Sequence, residues 1–173
     1  VIKEKKGSDP MQDTAGDATL TLINPAGLCD PVPNGYSHVA VIAPGTRVAI
    51  IAGQGGETED GALAPDFRLQ VRQAMGNLVV ALRAAGAGVG DIAKLTVLIV
   101  DHSEERLHIF GGEWARLLDG APPPACTLIP VPRLALDGML FEIEATAVLP
   151  PGEGVSSAAR DATSADRPSY RAG

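Results

Sequence analysis

The apolar positions along the chain alternate between two periods. Ala18–Ile23 is a short β-prone run. Ser37–Ala43 and Arg47–Ala52 are two more, separated by Pro44-Gly45-Thr46, a turn signal that predicts a hairpin. Gly53-Gln54-Gly55-Gly56 and the acidic stretch to Gly61 then read as a loop. Phe67, Val71, Ala74, Leu78, Leu82 and Ala85 fall on one continuous helical face, with Pro65-Asp66 suited to a first turn and Gly86 to a stop. Ile92–Val100, rich in Val, Ile, Leu and Thr, predicts a buried strand. Ser103 suits an N-cap, with Glu104 and Glu105 favourable at the positive helix end, and Leu107, Phe110, Trp114, Leu117 and Leu118 form a second helical face. Gly111-Gly112 sits inside that helix at a cost of about 1 kcal/mol each relative to Ala. Close packing on the sheet, or space for a ligand or another chain, would each account for the pair. Pro122-Pro123-Pro124 ends the region. Ala125–Val131 predicts a strand cut short or held at an edge by Pro130 and Pro132. Met139–Leu149 alternates: Met139, Phe141, Ile143, Ala145 and Ala147 on one side, Leu140, Glu142, Glu144, Thr146 and Val148 on the other.

The order β, ββ, α, β, α, β, β predicts an α+β fold, one mixed sheet of about six strands with two helices on one face. Leu140 and Val148 make the second sheet face too apolar to stand free, which predicts an oligomer in which another copy covers it. The structured domain is expected to span residues 19–150. Residues 1–18 read as a flexible segment, in which Gly7-Ser8-Asp9-Pro10 resembles a cloning remnant and Met11 a native start. Residues 151–173, rich in Ser, Ala, Gly, Pro and Arg, read as a disordered tail.

Composition narrows the function classes. The 173 residues are 45% hydrophobic but only 3% aromatic, so aliphatic side chains must fill the core. The net charge is −7, and residues 19–150 hold eight basic and fourteen acidic residues, so the acidity belongs to the body. An acidic surface argues against nucleic acid and anionic membrane as partners. No apolar run is long enough to span a bilayer. Two cysteines, Cys29 and Cys126, make no disulfide framework, which fits a reduced, cytoplasmic setting.

The chemistry-bearing residues are few. Glu142 and Glu144 lie on one face of one strand, about 7 Å apart. A pair of half-buried carboxylates would raise each other's pKa and could shuttle protons, although spacing alone favours a solvated strand face. Cys126 follows the proline run at a strand start and could be a nucleophile if a cation lowered its pKa; Arg133 is the nearest in sequence. His38, His102 and His108 have no metal-pair spacing and no Cys/His cluster appears, so no metal is expected. The glycine-rich 53–56 segment matches neither a P-loop nor a dinucleotide fingerprint, and no GxSxG occurs.

From Gly35 to Leu149 the chain resembles the RidA/YjgF family of small trimeric proteins. The resemblance rests on Asn34-Gly35-Tyr36-Ser37, Ile50-Ile51-Ala52-Gly53-Gln54, Gln70-Val71-Arg72-Gln73-Ala74-Met75-Gly76-Asn77-Leu78, Ala84-Ala85-Gly86 with Val89–Val97, Pro124-Ala125-Cys126, and Phe141–Ala145, in order and at near-constant spacing. It implies a chorismate-mutase-like fold, three sheets packed as a central barrel in a homotrimer, and small-molecule clefts at the subunit interfaces. It also implies hydrolysis of reactive enamines and imines to ammonia and a 2-keto acid, with no metal or organic cofactor. Carried over by position, Tyr36 matches the cleft tyrosine, Glu142 the glutamate that positions water, and Gly53 and Gln54 the loop beside the site. Ala52 stands where many members have Ser, and Gly111 where Asn is frequent. Cys126 stands where the family's Arg binds the substrate carboxylate, and losing that bidentate partner costs several kcal/mol. Arg133 is the candidate substitute.

The expectation is therefore an enzyme of RidA type acting on a neutral enamine, imine or related carbonyl compound rather than a general 2-imino acid deaminase. Glu142 and Cys126 are its candidate catalytic residues, and Tyr36, Ala52, Gly53, Gln54, Gly111 and Arg133 its candidate substrate-binding residues. The competing reading is a non-catalytic trimer that binds a metabolite or a protein. A third, from the family's ribonuclease-type members, is opposed by the acidic body and the absence of clustered basic and aromatic residues.

Overall fold

A computed structural model describes residues 18–149; the two terminal segments expected to be flexible or disordered lie outside the described residues. Among the described residues six strands form: β1 (Leu20–Ile23), β2 (Val39–Ile42), β3 (Val48–Gly55), β4 (Ile92–Val100), β5 (Ala125–Val131) and β6 (Phe141–Val148). Two helices, α1 (Phe67–Ala85) and α2 (Glu104–Leu118), follow β3 and β4. The strands divide as a four-stranded mixed sheet, β3-β6-β4-β5, and a two-stranded ribbon, β1-β2. The ribbon meets the β5 edge through one parallel bridge, Ser37 to Ala125, reinforced by the Ser37 hydroxyl donating to the Pro123 carbonyl (2.7 Å).

The expected hairpin between the second and third runs does not form. The turn itself is present, with Gly45 at φ +78° and the Thr46 N–H donating to Ala43 O. Its flanking strands pair elsewhere, β2 antiparallel with β1 and β3 antiparallel with β6. Pairing with β6 lets β3 bury Ile51 beside Ala145 over the helices, a gain that the local turn cannot offer.

The helices begin and end where their caps dictate. The Asp66 carboxylate accepts from Leu69 N–H, and Gly86 closes α1 in the left-handed region; the Ser103 hydroxyl accepts from Arg106 N–H to open α2. Both helices cover one sheet face. Val71, Leu78, Leu82, Leu95, Val97, Ile99, Trp114, Phe141 and Ile143 form the core between them. Phe141 meets Phe67 edge-on (6.0 Å) and Phe110 at 5.7 Å.

Three buried or half-buried polar side chains tie these layers together. The fully buried Gln70 amide donates to Ala64 O (2.7 Å) and Gly138 O (2.8 Å) and accepts from Leu140 N–H (2.8 Å). Buried Glu113 of α2 is held by Arg68, Arg72 and Arg116 at 3.0, 3.0 and 2.8 Å. Asn77 donates to the carbonyls of Gly55 (3.0 Å) and Glu57 (2.8 Å), fixing the chain that leaves β3.

The opposite sheet face carries Val48, Ile50, Lys94, Thr96, Leu98, Ile129, Glu142 and Glu144. The 132–138 loop folds over one end of it, where Val100, Leu134 and Met139 form a small second core. The rest is open, and Ile50 on its edge strand β3 is 84% exposed. No helix among the described residues is long and apolar enough to cross a membrane.

Candidate functional site

Strand register sorts the candidate residues into two groups. Cys126 is in register with Leu95, whose side chain is in the core under the helices. Glu142 is in register with Leu98, on the open face. Alternation therefore sends the two candidate catalytic side chains to opposite faces of one sheet.

The Cys126 group lines a cavity of about 1010 Å³ between α2, β5 and the segment before β2. Tyr36 and Gly111 also line it. Trp114 Nε1 donates to Gly35 O (3.1 Å), which fixes the turn that presents Tyr36. The Tyr36 hydroxyl lies 3.9 Å from the Cys29 sulfur, a contact that raises the phenol pKa, with burial adding to it. His38 stacks edge-on to Tyr36 (5.4 Å), and its Nε2 donates to Cys29 O (2.8 Å). Among the described residues no Asp, Glu, Lys or Arg lines the cavity. Burial pushes the Cys126 thiol up to about 11, outweighing the pull of Lys94. At neutral pH roughly one thiol in ten thousand is then ionised, so an uncharged S–H faces the cavity.

The Glu142 group sits across the sheet. β3 bulges so that Ala52-Gly53 opposes Glu144 alone, between the Ile51–Ala145 and Gln54–Ile143 pairs. Glu142 rests on Gly53: a Cβ there would lie 2.2 Å from its Oε1. Gly55 gives Glu57 the same clearance, 2.2 Å to Oε2. Burial raises the Glu142 pKa, and the Glu57 and Glu144 carboxylates raise it further. The Gln54 amide turns back to the carbonyls of Ala52 (3.1 Å) and Gly53 (3.3 Å). Gly56 lets the chain pass against α1, since a Cβ there would meet Gln70 Cα at 2.7 Å.

Arg133 joins neither group. It pairs with Asp137 (3.3 Å) on the exposed 132–138 loop and does not line the Cys126 cavity. Glu57 and His108, which lines that cavity, were not among the sequence candidates. A helical stripe at i, i+4 with Gly111 and Gly112 would have pointed to Leu107 and His108. Glu57 has no such signal, because its loop is placed by Asn77 twenty residues on. Among the described residues no group of three or more His, Cys, Asp or Glu could hold a metal.

The chain thus sets two helices on one face of a mixed sheet, a cavity lined by Tyr36, Gly111 and Cys126 at the β5 edge, and a carboxyl with a raised pKa on the other face. The family model for Endoribonuclease L-PSP matches residues 30–149, and the chain belongs to that family, the RidA/YjgF proteins, with their chorismate-mutase-like fold. It is 36% identical over 115 residues to the RutC family protein YjgH of Escherichia coli strain K12, covering 66% of this chain and 85% of that one. It is 36% identical over 92 residues to the 2-iminobutanoate/2-iminopropanoate deaminase of Salmonella typhimurium, covering 53% and 71%. The crystal structure of the Rid family protein YyfB from Yersinia pestis, of unknown function, superposes with a TM-score of 0.72 at 36% identity, covering 76% of this chain and all of that one.

Proposed function

We propose that this chain is a divergent RidA-type hydrolase, lacking the carboxylate-binding Arg, that acts as a homotrimer on a neutral enamine or imine. The observation that carries the reading is the cavity around Cys126: it is large, and among the described residues no Lys or Arg lines it. A substrate carboxylate placed there would lose its hydration without gaining a guanidinium, a loss of several kcal/mol. The protonated Cys126 thiol then serves as a cavity wall rather than a nucleophile. A ribonuclease is disfavoured by the same uncharged lining, since phosphates call for Lys or Arg.

The site is completed between copies. One copy gives the Tyr36–Gly111–Cys126 wall, and the open sheet face of its neighbour gives Glu142. The exposed apolar side chains of that face, Val48 and Ile50 on one edge strand and Ile129 on the other, support such an assembly. In the reaction Glu142 accepts a proton from water as the water oxygen bonds to the imine carbon, and the carboxyl hands that proton to the nitrogen as the C=N pair moves onto it. The Glu142 carboxylate then takes the carbinolamine hydroxyl proton and passes it to the nitrogen as C=O forms, the C–N bond breaks and ammonia or an amine leaves. A carboxyl with a raised pKa suits this two-way proton transfer.

The test is ammonia and keto-acid release from imino acids generated in situ by an amino-acid oxidase. Wild type should be inactive on them and Cys126→Arg should gain activity, which a further Glu142→Ala change removes. Efficient wild-type turnover of these acids would overturn the neutral-substrate reading. Inactivity of Cys126→Arg together with failure of wild type on neutral imines would leave a non-catalytic trimer that binds a small molecule.

A further inference from the structure

Leu107, Gly111, Ala115 and Leu118 follow one stripe of α2, with His108 and Gly112 beside it, and all six line the Cys126 cavity. A Cβ on Gly111 or Gly112 would meet no atom within 4 Å, so neither the sheet nor α1 demands glycine there. Neither residue has a positive φ, so no turn demands it. Two glycines inside a fifteen-residue helix weaken it relative to alanine. What they leave is volume: about 1010 Å³ lies at the upper end of small-molecule sites. The polar side chains that line this volume among the described residues include Tyr36, His108 and Cys126 but no Asp, Glu, Lys or Arg, and Phe110, Leu118 and Leu128 supply apolar wall.

We infer that Gly111 and Gly112 determine ligand specificity: their bare backbone is the surface on which an uncharged, ring-sized apolar group of the ligand lies. The polar end of that ligand faces Tyr36 and His108. The inference rests on the Cys126 cavity as the ligand site and deepens it by naming the ligand class, a compound with an aromatic or alicyclic body. An anionic ligand is disfavoured because no Lys or Arg among the described residues lines the cavity, and a short imino acid would leave most of the volume unfilled.

The probe is N-phenyl-1-naphthylamine, a neutral apolar fluorophore, titrated into the full chain as it assembles in solution. Wild type is compared with Gly111→Ala, Gly112→Ala, Gly111→Leu and Gly112→Leu. Gly76→Ala is the control, because Gly76 is also a mid-helix glycine with nothing within 4 Å but lies on α1 against a different cavity. All three alanine variants should raise Tm by about 2–4 °C. Gly111→Ala and Gly112→Ala should weaken probe binding roughly three- to tenfold and the leucine variants more than tenfold, while Gly76→Ala leaves it unchanged. Absence of saturable binding by wild type, or unchanged affinity in both leucine variants, overturns the inference. So does a fall in Tm or in assembly mass for the alanine variants, since a second copy would then pack on the glycines. Probe binding requires no turnover, so this result stands or falls apart from the hydrolase reading.

Discussion

Replacing Glu113 by Gln should loosen the clasp that sets α2, and with it one wall of the cavity. The Glu113 side chain is 6% exposed and takes guanidinium bonds from Arg68 and Arg72 of α1 and from Arg116 of its own helix. The hydrogen bond from Arg72 is the largest cause that holds its carboxyl down to about 2 from 4.5; those from Arg116 and Arg68 add to it, and burial opposes them. The drop from 4.5 to about 2 converts to roughly 3 kcal/mol of stabilisation. The three arginines are 43–65% exposed, so water and salt screen the cluster and about 1–3 kcal/mol is the expected loss at pH 7. Thermal unfolding should show Glu113→Gln about 3–10 °C below wild type. Because the folded pKa is depressed, the stabilisation is present above about pH 4.5 and is lost as pH falls toward about 2. More than half of the difference between the two proteins should vanish by about pH 3. Equal stability of the two proteins at pH 7 and low salt would refute the reasoning. A difference that persists undiminished at about pH 3 would show that shape, not charge, holds the helices together.

Two further perturbations probe the other face of the sheet. Gly53→Ala should leave Tm within a few degrees of wild type but drive the Glu142 carboxyl off its seat, because the new methyl would lie 2.2 Å from Oε1. Turnover should then fall as far as in Glu142→Ala, and retained turnover would show that the seat is irrelevant. Ile50→Glu should convert the assembly to monomer by light scattering with the circular dichroism unchanged, since Ile50 is the most exposed large apolar side chain of that face; an unchanged mass would remove the open face from the interface.

Much of this architecture can be read from the chain, and the parts that cannot share one physical cause. α1 and β4 are legible because period, caps and composition agree within a single segment: Asp66 and Gly86 bracket α1, and Ile92–Val100 is β-prone from end to end. The β2–β3 hairpin misleads because a turn signal reports only that the chain reverses, while the choice between β1 and β6 as partner is made by burial elsewhere. Gln70 and Glu113 look like surface residues of helices until partners about 70 and more than 40 positions away in sequence enclose them. The candidate site follows the same rule. Each residue is recognisable by motif, but whether Cys126 and Glu142 share a face depends on two registers, Leu95 with Cys126 and Leu98 with Glu142. Leu95 and Leu98 are three apart in β4, an odd number, and in a strand an odd separation means opposite faces. A single copy thus cannot close both side chains on one substrate through this sheet. If the site is completed between two copies as proposed, any variant that yields a folded monomer should lose turnover completely while keeping its Cys126 cavity and its probe affinity, which light scattering, a turnover assay and the probe titration together check.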